Sequence, residues 1–272
     1  MDKGDYLNIA HENLIETLRY RANTVKNGKI YETDDFLLFS IGTETSDGHL
    51  NGCVPINHKA YIETFNEAES FFGDLGFDYS VWIRKGIDND LENLLLENGF
   101  FLQRKPGSVI MKIEEKISNA PLPTGYYLKE VRDIKDIEDF STVIGEAFKK
   151  DDAVLRAMFS SKETLVSDTV KSVLIYNEKE EPVSGAITYL SKNAAGLYFV
   201  GTLEKERGKG LGKAVVKAST NIGFNEGKDI VILQASPLGR IIYDKLNYEG
   251  IGWYKPYGRS NTKQNMSYTS SE

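Results

Sequence analysis

The sequence predicts an α/β protein in two units, a mixed central sheet flanked by helices preceded by a smaller unit of the same kind, and three observations lead there. In the second half, apolar runs of strand length alternate with stretches whose apolar residues recur at helical spacing. Near the middle, "EEKISNAPLPTGYY" places Pro121 and Pro123 after a charged run. Prolines hold themselves and the residues before them extended, which suits a connector. Finally, "FDYSVWIRKGIDNDLENLLLENGFFLQRKP" (Phe77 to Pro106) aligns, with a single gap, to "KDIVILQASPLGRIIYDKLNYEGIGWYKP" (Lys228 to Pro256). Each reads as strand, turn, helix, polar stop, aromatic strand and Lys-Pro, a possible internal repeat.

The expected units are 1–118 and 125–260, followed by a polar tail over 261–272. The opening "MDKGDYLNIAHENLIETLRY" has helical spacing and lacks the apolar core of a signal peptide. "HKAYIETFNEAESFF" is a helix with no glycine cluster at its start. After the connector, "YYLKEVR" reads as a strand, 134–148 and 151–160 as helices, and "SVLIYN", "SGAITYL" and "GLYFVGT" as strands separated by turns. Leu211, Val215, Ala218 and Ile222 mark one apolar helix face that ends near Gly223 to Gly227. "DIVILQA" has the near-continuous apolar character of a central strand. Ser236 and Pro237 make an N-cap and first-turn pair, Leu238, Ile242 and Leu246 stripe the following helix, and Asn247 suits its end. "YEGIGWY" closes the second unit.

Composition narrows the function classes. The 272 residues are 40% hydrophobic and 27% charged, a folded rather than disordered balance. A net charge of −7 disfavours sequence-nonspecific nucleic-acid binding and mildly favours a cationic partner. Cys53 is the single cysteine and there are three histidines, with no spacing that resembles a zinc site, so no metal is expected. No run of about 18 apolar residues suits a membrane span, and the expected location is the cytoplasm.

The stretch "ERGKGLGKA", Glu206 to Ala214, carries most of the chemical information. Glycines between a strand and a helix N-terminus let backbone approach a ligand, and the unpaired first-turn N–H groups favour an anion. A P-loop would need glycine at Arg207 and a hydroxyl at Ala214. A dinucleotide loop would need glycine at Lys213. The pattern Arg/Gln-x-x-Gly-x-Gly/Ala is satisfied by Arg207, Gly210 and Gly212.

This last pattern, with "VGTLEKERGKGLG" upstream and "LQASPLGRIIYDKLNYEG" downstream, resembles the GNAT superfamily of acyl-CoA N-acyltransferases over roughly residues 125 to 257. The resemblance implies a GNAT fold for the second unit and a degenerate GNAT-like fold for the first. It implies acetyl transfer from acetyl-CoA to a primary amine of a small molecule or peptide, directly, through a tetrahedral intermediate. Val200, Gly201 and Thr202 would then offer backbone groups to the pantetheine arm, and Arg207, Gly208, Lys209, Gly210, Leu211, Gly212 and Lys213 would hold the pyrophosphate. Tyr243, seven residues beyond Ser236, matches the family's general acid, and Ser236 stands where many members contact the coenzyme. A glutamate that some members carry on the fifth strand is missing, since Val231 and Leu233 stand at the matching positions. Water, Glu146, Asp151 or Asp152 could take the amine's proton, though those acids read more readily as surface charges or amine anchors. Tyr198 could line the acceptor pocket or fill the core. A non-catalytic acyl-CoA-binding module is the competing class.

Overall fold

Strands from both halves of the chain join one continuous sheet in the computed structural model, which describes residues 1–118 and 121–259. The tail expected at 261–272 and the Leu238 side chain lie outside the described residues. Helix α1 (Lys3–Thr24) opens the chain on a capping box, in which Asp2 and Asp5 each accept the other's backbone N–H at 2.9 Å. Strands β1 (Lys29–Glu32), β2 (Phe36–Ser40) and β3 (Asn51–Pro55) form an antiparallel ladder. Helix α2 (Tyr61–Leu75) crosses to β4 (Ser80–Arg84), which runs parallel to β3. Helix α3 (Asn89–Glu97), β5 (Phe101–Leu102) and β6 (Ser108–Ile113) follow.

The second half repeats this wiring. Strand β7 (Tyr126–Glu130), helices α4 (Ile134–Phe148) and α5 (Asp152–Met158), and strands β8 (Val170–Asn177), β9 (Pro182–Leu190) and β10 (Ala195–Thr202) lead to α6 (Leu211–Asn225). That helix crosses to β11 (Val231–Ala235), parallel to β10, before α7 (Pro237–Asp244) and β12 (Glu249–Gly258). The two aligned segments are β4-α3-β5 and β11-α7-β12.

The sheet order β1-β2-β3-β4-β12-β6-β11-β10-β9-β8-β7, with β5 against β12, departs from one expectation. Strand β12, expected to close the second unit, pairs with β6 and with β4, while β6 of the first half pairs with β11. The halves therefore exchange closing strands, and each completes the other's sheet. Trp82 and Tyr254, from opposite halves and each at most 2% exposed, meet edge to face at 5.6 Å where the strands cross.

Helix α7 also differs from the expected stripe. It ends at Asp244, so Leu246 packs from beyond it, while Ile242 is 36% exposed and Tyr243 is buried. The packed face is Tyr243 with Leu246 and Tyr248, because a two-turn helix offers too short a stripe to bury positions on both of its sides. Asn247 follows in the left-handed region, at φ 64°.

Candidate active site

The site begins where a parallel pair comes apart. Strands β10 and β11 pair from Ala195 with Val231 to Leu197 with Leu233, after which β10 continues to Thr202 and β11 to Ala235 with no register between them. The cause lies on the other edge of β10. Between Tyr198 opposite Ile187 and Gly201 opposite Gly185, Phe199 and Val200 face Ala186 alone. The extra residue is a β-bulge, which bends and twists its strand. Phe199 sits at φ 48°, a conformation that costs a non-glycine residue about 1–2 kcal/mol. Val200, Gly201 and Thr202 thereby leave the β10–β11 ladder, with the Gly201 carbonyl accepting from Ser184 Oγ at 2.8 Å on the β9 side.

Strand β10 leads into the glycine stretch. Gly208 (φ 80°) and Gly210 (φ 84°) are left-handed, and a Cβ added to either would meet nothing within 4 Å. Gly210 is the N-cap of α6 and no side chain caps the helix, so the N–H groups of Leu211, Gly212 and Lys213 face outward from its first turn. Leu211 anchors the turn in the core, and a Cβ at Gly212 would press on Thr202 Oγ1 at 3.3 Å. Arg207 is exposed, its Nε 3.4 Å from the Thr202 carbonyl oxygen, and Lys213 is exposed beside it. Lys209 is held differently: its ammonium donates to Glu206 Oε2 at 2.8 Å and to the Tyr126 hydroxyl at 3.0 Å. Hydrogen bonds to Glu206 and then to Tyr126 raise its pKa, and the same carboxylate offsets its charge at the seat.

Tyr243 packs into the cluster of Leu197, Val216, Leu233 and Ala235, against which Val200 also rests, so it borders the split. Burial pushes its phenol up, and it remains protonated through the neutral range. The Ser236 hydroxyl accepts the Gly239 N–H at 3.1 Å as the cap of α7 and keeps its own hydrogen to donate. Glu146, Asp151 and Asp152 are exposed; Glu146 and Asp152 line a groove between α4 and α5.

Residues that sequence reasoning missed come from the first half. His49 and Asp47 sit in the loop between β2 and β3, with His49 Nδ1 3.3 Å from Asp47 Oδ1 and the His49 N–H donating to the same oxygen at 2.9 Å. Lys150, just after α4, pairs with the other Asp47 oxygen. Burial pulls the Asp47 carboxyl upward, but Lys150 and His49 outweigh it and hold the group well below the usual carboxylate range. Burial lowers His49 against the opposing pull of Asp47, with Arg21 and Arg104 adding to the lowering, so the imidazole is neutral at neutral pH. Its ring lies 4.6 Å from Trp82 and 6.2 Å from Phe199, the residue that turns the bulge. With Nδ1–H donating to Asp47, Nε2 presents a lone pair on a side chain 24% exposed. Tyr198 is buried, its hydroxyl donating to Asn13 Oδ1 at 3.1 Å. The one sequence signal for the dyad was "SDGHL", where aspartate and histidine flank a glycine.

Among the described residues, no group of three or more His, Cys, Asp or Glu could hold a metal ion, and no helix is long and apolar enough to cross a membrane. No family model matches the sequence, and no curated protein matches it. Solved structures do match. A GCN5-related N-acetyltransferase from Kribbella flavida is 18% identical at a TM-score of 0.69, over 92% of this chain and 94% of its own. One from Sphaerobacter thermophilus is 12% identical at 0.62, over 83% and 80%. A tandem GNAT protein from the clavulanic acid biosynthesis pathway is 8% identical at 0.59, over 87% and 85%. The chain has the GNAT fold, and its likeness to these proteins spans both halves.

Proposed function

We propose that a chain with this fold is an N-acetyltransferase that moves the acetyl group of acetyl-CoA to a primary amine, with a catalytic second half (125–260) and a degenerate first half (1–118) that supplies the acceptor side. The observation that carries this reading is the pair β10 and β11 parting at a bulge, with β10 running straight into a glycine-opened helix N-terminus. The glycines fit a pyrophosphate, since Gly208 and Gly210 leave open space where side chains would stand. Arg207 and the N–H groups of Gly208 to Lys213 would hold it, and Val200 to Thr202 would pair with the pantetheine arm.

Bound there, acetyl-CoA supplies an acyl thioester. Backbone N–H groups at the bulge stabilise the oxygen that gains charge when the amine attacks. Tyr243 holds its phenolic proton for the departing sulfur. His49, oriented by Asp47, accepts at Nε2 the proton that the acceptor ammonium must lose, a task for which Val231 and Leu233 of β11 carry no ionisable group and for which water, Glu146, Asp151 and Asp152 are the alternatives. The proposed setting is the cytoplasm, where acetyl-CoA is available.

Calorimetric titration of acetyl-CoA into the wild type and into Gly210→Glu tests the reading. Binding in the micromolar range that the substitution abolishes is the expected result. A folded wild type that binds no acetyl-CoA would overturn it.

A further inference from the structure

Arg21, in the last turn of α1, is 3% exposed, and none of the ion pairs among the described residues involves it. Its Nη1 donates to the His49 carbonyl oxygen at 2.5 Å and its Nε to the Tyr189 hydroxyl at 3.4 Å. Nη2 has no acceptor. The guanidinium carbon lies 4.8 Å from the ring centre of Phe199, 5.3 Å from Tyr189 and 5.8 Å from Tyr198. Aromatic faces attract a cation but accept its N–H groups poorly, so a buried charge is left without an anion. Two more buried donors turn to the Tyr198 phenol without a well-formed hydrogen bond: Thr17 Oγ1, one turn earlier on α1, and Gln234 Nε2, on β11 just beyond the split.

We propose that Arg21, Thr17 and Gln234 form a carboxylate subsite, and that the acceptor is a small amino acid whose carboxylate pairs with Arg21 while its amine faces His49. The claim that this ligand is acetylated rests on the acetyl-transfer reading; the subsite itself rests on the three donors. One unanswered cation among neutral donors matches a singly charged carboxylate. A dianionic phosphate would call for a second cation inside the cluster; Lys150 already pairs with Asp47, and Arg104, which acts on His49 from an exposed position, turns its Nη1 to Ser108 Oγ at 3.3 Å. Arg21 reaches His49 through its carbonyl and Phe199 through its ring, so the anion site adjoins the bulge at the place where an amine would meet the neutral imidazole. His49 and Phe199, both partly exposed, flank the way in. The chain's net charge of −7 points toward a cationic acceptor, but a desolvated guanidinium at contact distance outweighs charges screened across the surface.

The test is calorimetric titration of the standard L-amino acids and their C-terminal amides into the wild type, Arg21→Gln and Arg21→Lys, each checked for folding by circular dichroism. A site built around a carboxylate should hold at least one acid about tenfold or more tighter than its amide. That preference should shrink in Arg21→Lys, which keeps the charge but loses the planar fork, and vanish in Arg21→Gln. Equal affinity for acids and amides, no binding of any acid, or a preference that survives in Arg21→Gln would overturn the proposal. If Arg21→Gln does not fold, an undiminished preference in Arg21→Lys does the same. Release of coenzyme A from acetyl-CoA, followed in parallel, separates the two readings. Selective binding of an acid without release with any amine sinks acetyl transfer and leaves the subsite standing. Release that is as fast with amines lacking a carboxylate does the reverse.

Discussion

The two halves of the molecule open the same gap and treat it in opposite ways. In the first, β3 and β4 pair only at Gly52 with Ser80 and Cys53 with Val81 before parting, as β10 and β11 do after three pairs. There the neighbouring carbonyls are already taken. His11 Nε2 meets the Pro55 oxygen at 2.9 Å, and Arg84, paired with Asp88, reaches the Ile56 oxygen at 3.4 Å. Helix α2 starts from Ala60 with no glycine, and the space beneath it is filled by Phe72 stacked on Tyr79 at 4.2 Å. In the second half the Thr202 carbonyl is met at 3.4 Å by Arg207, an exposed side chain of the glycine stretch itself, and the helix beyond begins on left-handed glycines. A split sheet is therefore not by itself a coenzyme site. On the proposed reading it serves as one where glycines leave the helix end uncovered by any Cβ. The closed half brings Arg21 and His49 against Phe199, at the bulge of the open one.

The comparison can be broken most sharply at the helix starts. Gly210→Glu should abolish acetyl-CoA binding in calorimetry, whereas Ala60→Glu, at the matching cap of α2, should leave it unchanged; loss in both would mean that the halves do not differ in this way. Next in size, His49→Gln should lower turnover by about 10²-fold or more with coenzyme affinity intact. The wild-type acid limb should then lie below the ordinary histidine value, because burial, Arg21 and Arg104 depress His49 and activity is lost only when it protonates. An acid limb unchanged in His49→Gln would argue for another base. Tyr243→Phe should cost about 10²-fold in turnover, again without weakening coenzyme binding, and a variant of normal rate would remove the phenol from the chemistry.

The smallest effect sharpens the closed half. Burial, with Arg84 beside it, pushes His11 down to about 3 from an unfolded value of 6.5, and the neutral ring bridges the Tyr254 hydroxyl and the Pro55 carbonyl. Because the unfolded state takes the proton first, the stability this group contributes is complete above pH 6.5 and drains as pH falls from there toward 3. Melting temperatures across that range should fall less in His11→Gln than in the wild type. Parallel curves would show that His11 does not couple folding to pH.

Elements whose signals are local were legible before any coordinates. The strands and helices of the second half follow from apolar period, Ser236 caps its helix as its side chain dictates, and "ERGKGLGKA" announced a helix N-terminus with room for an anion because only glycine adopts φ near 80° there without strain. Tyr243 was singled out by the family-like spacing from Ser236, but its place on the packed face was not foreseen, since which side of a two-turn helix is buried depends on where the helix ends and what lies beneath it.

The rest follows from meetings between distant residues, which no local pattern records. The exchange of β6 and β12 is a set of pairings between strands far apart in the chain, with Trp82 and Tyr254 meeting edge to face where the halves join. Lys209 reads as a phosphate ligand until Tyr126, 83 residues away, and Glu206 claim its ammonium. Arg21, Asp47, His49 and Gln234 are unremarkable where they stand in the chain. They acquire their chemistry when α1, the loop after β2 and the split beyond β11 are folded against Phe199, because burial converts a surface arginine into an unanswered charge and a loop histidine into a neutral base.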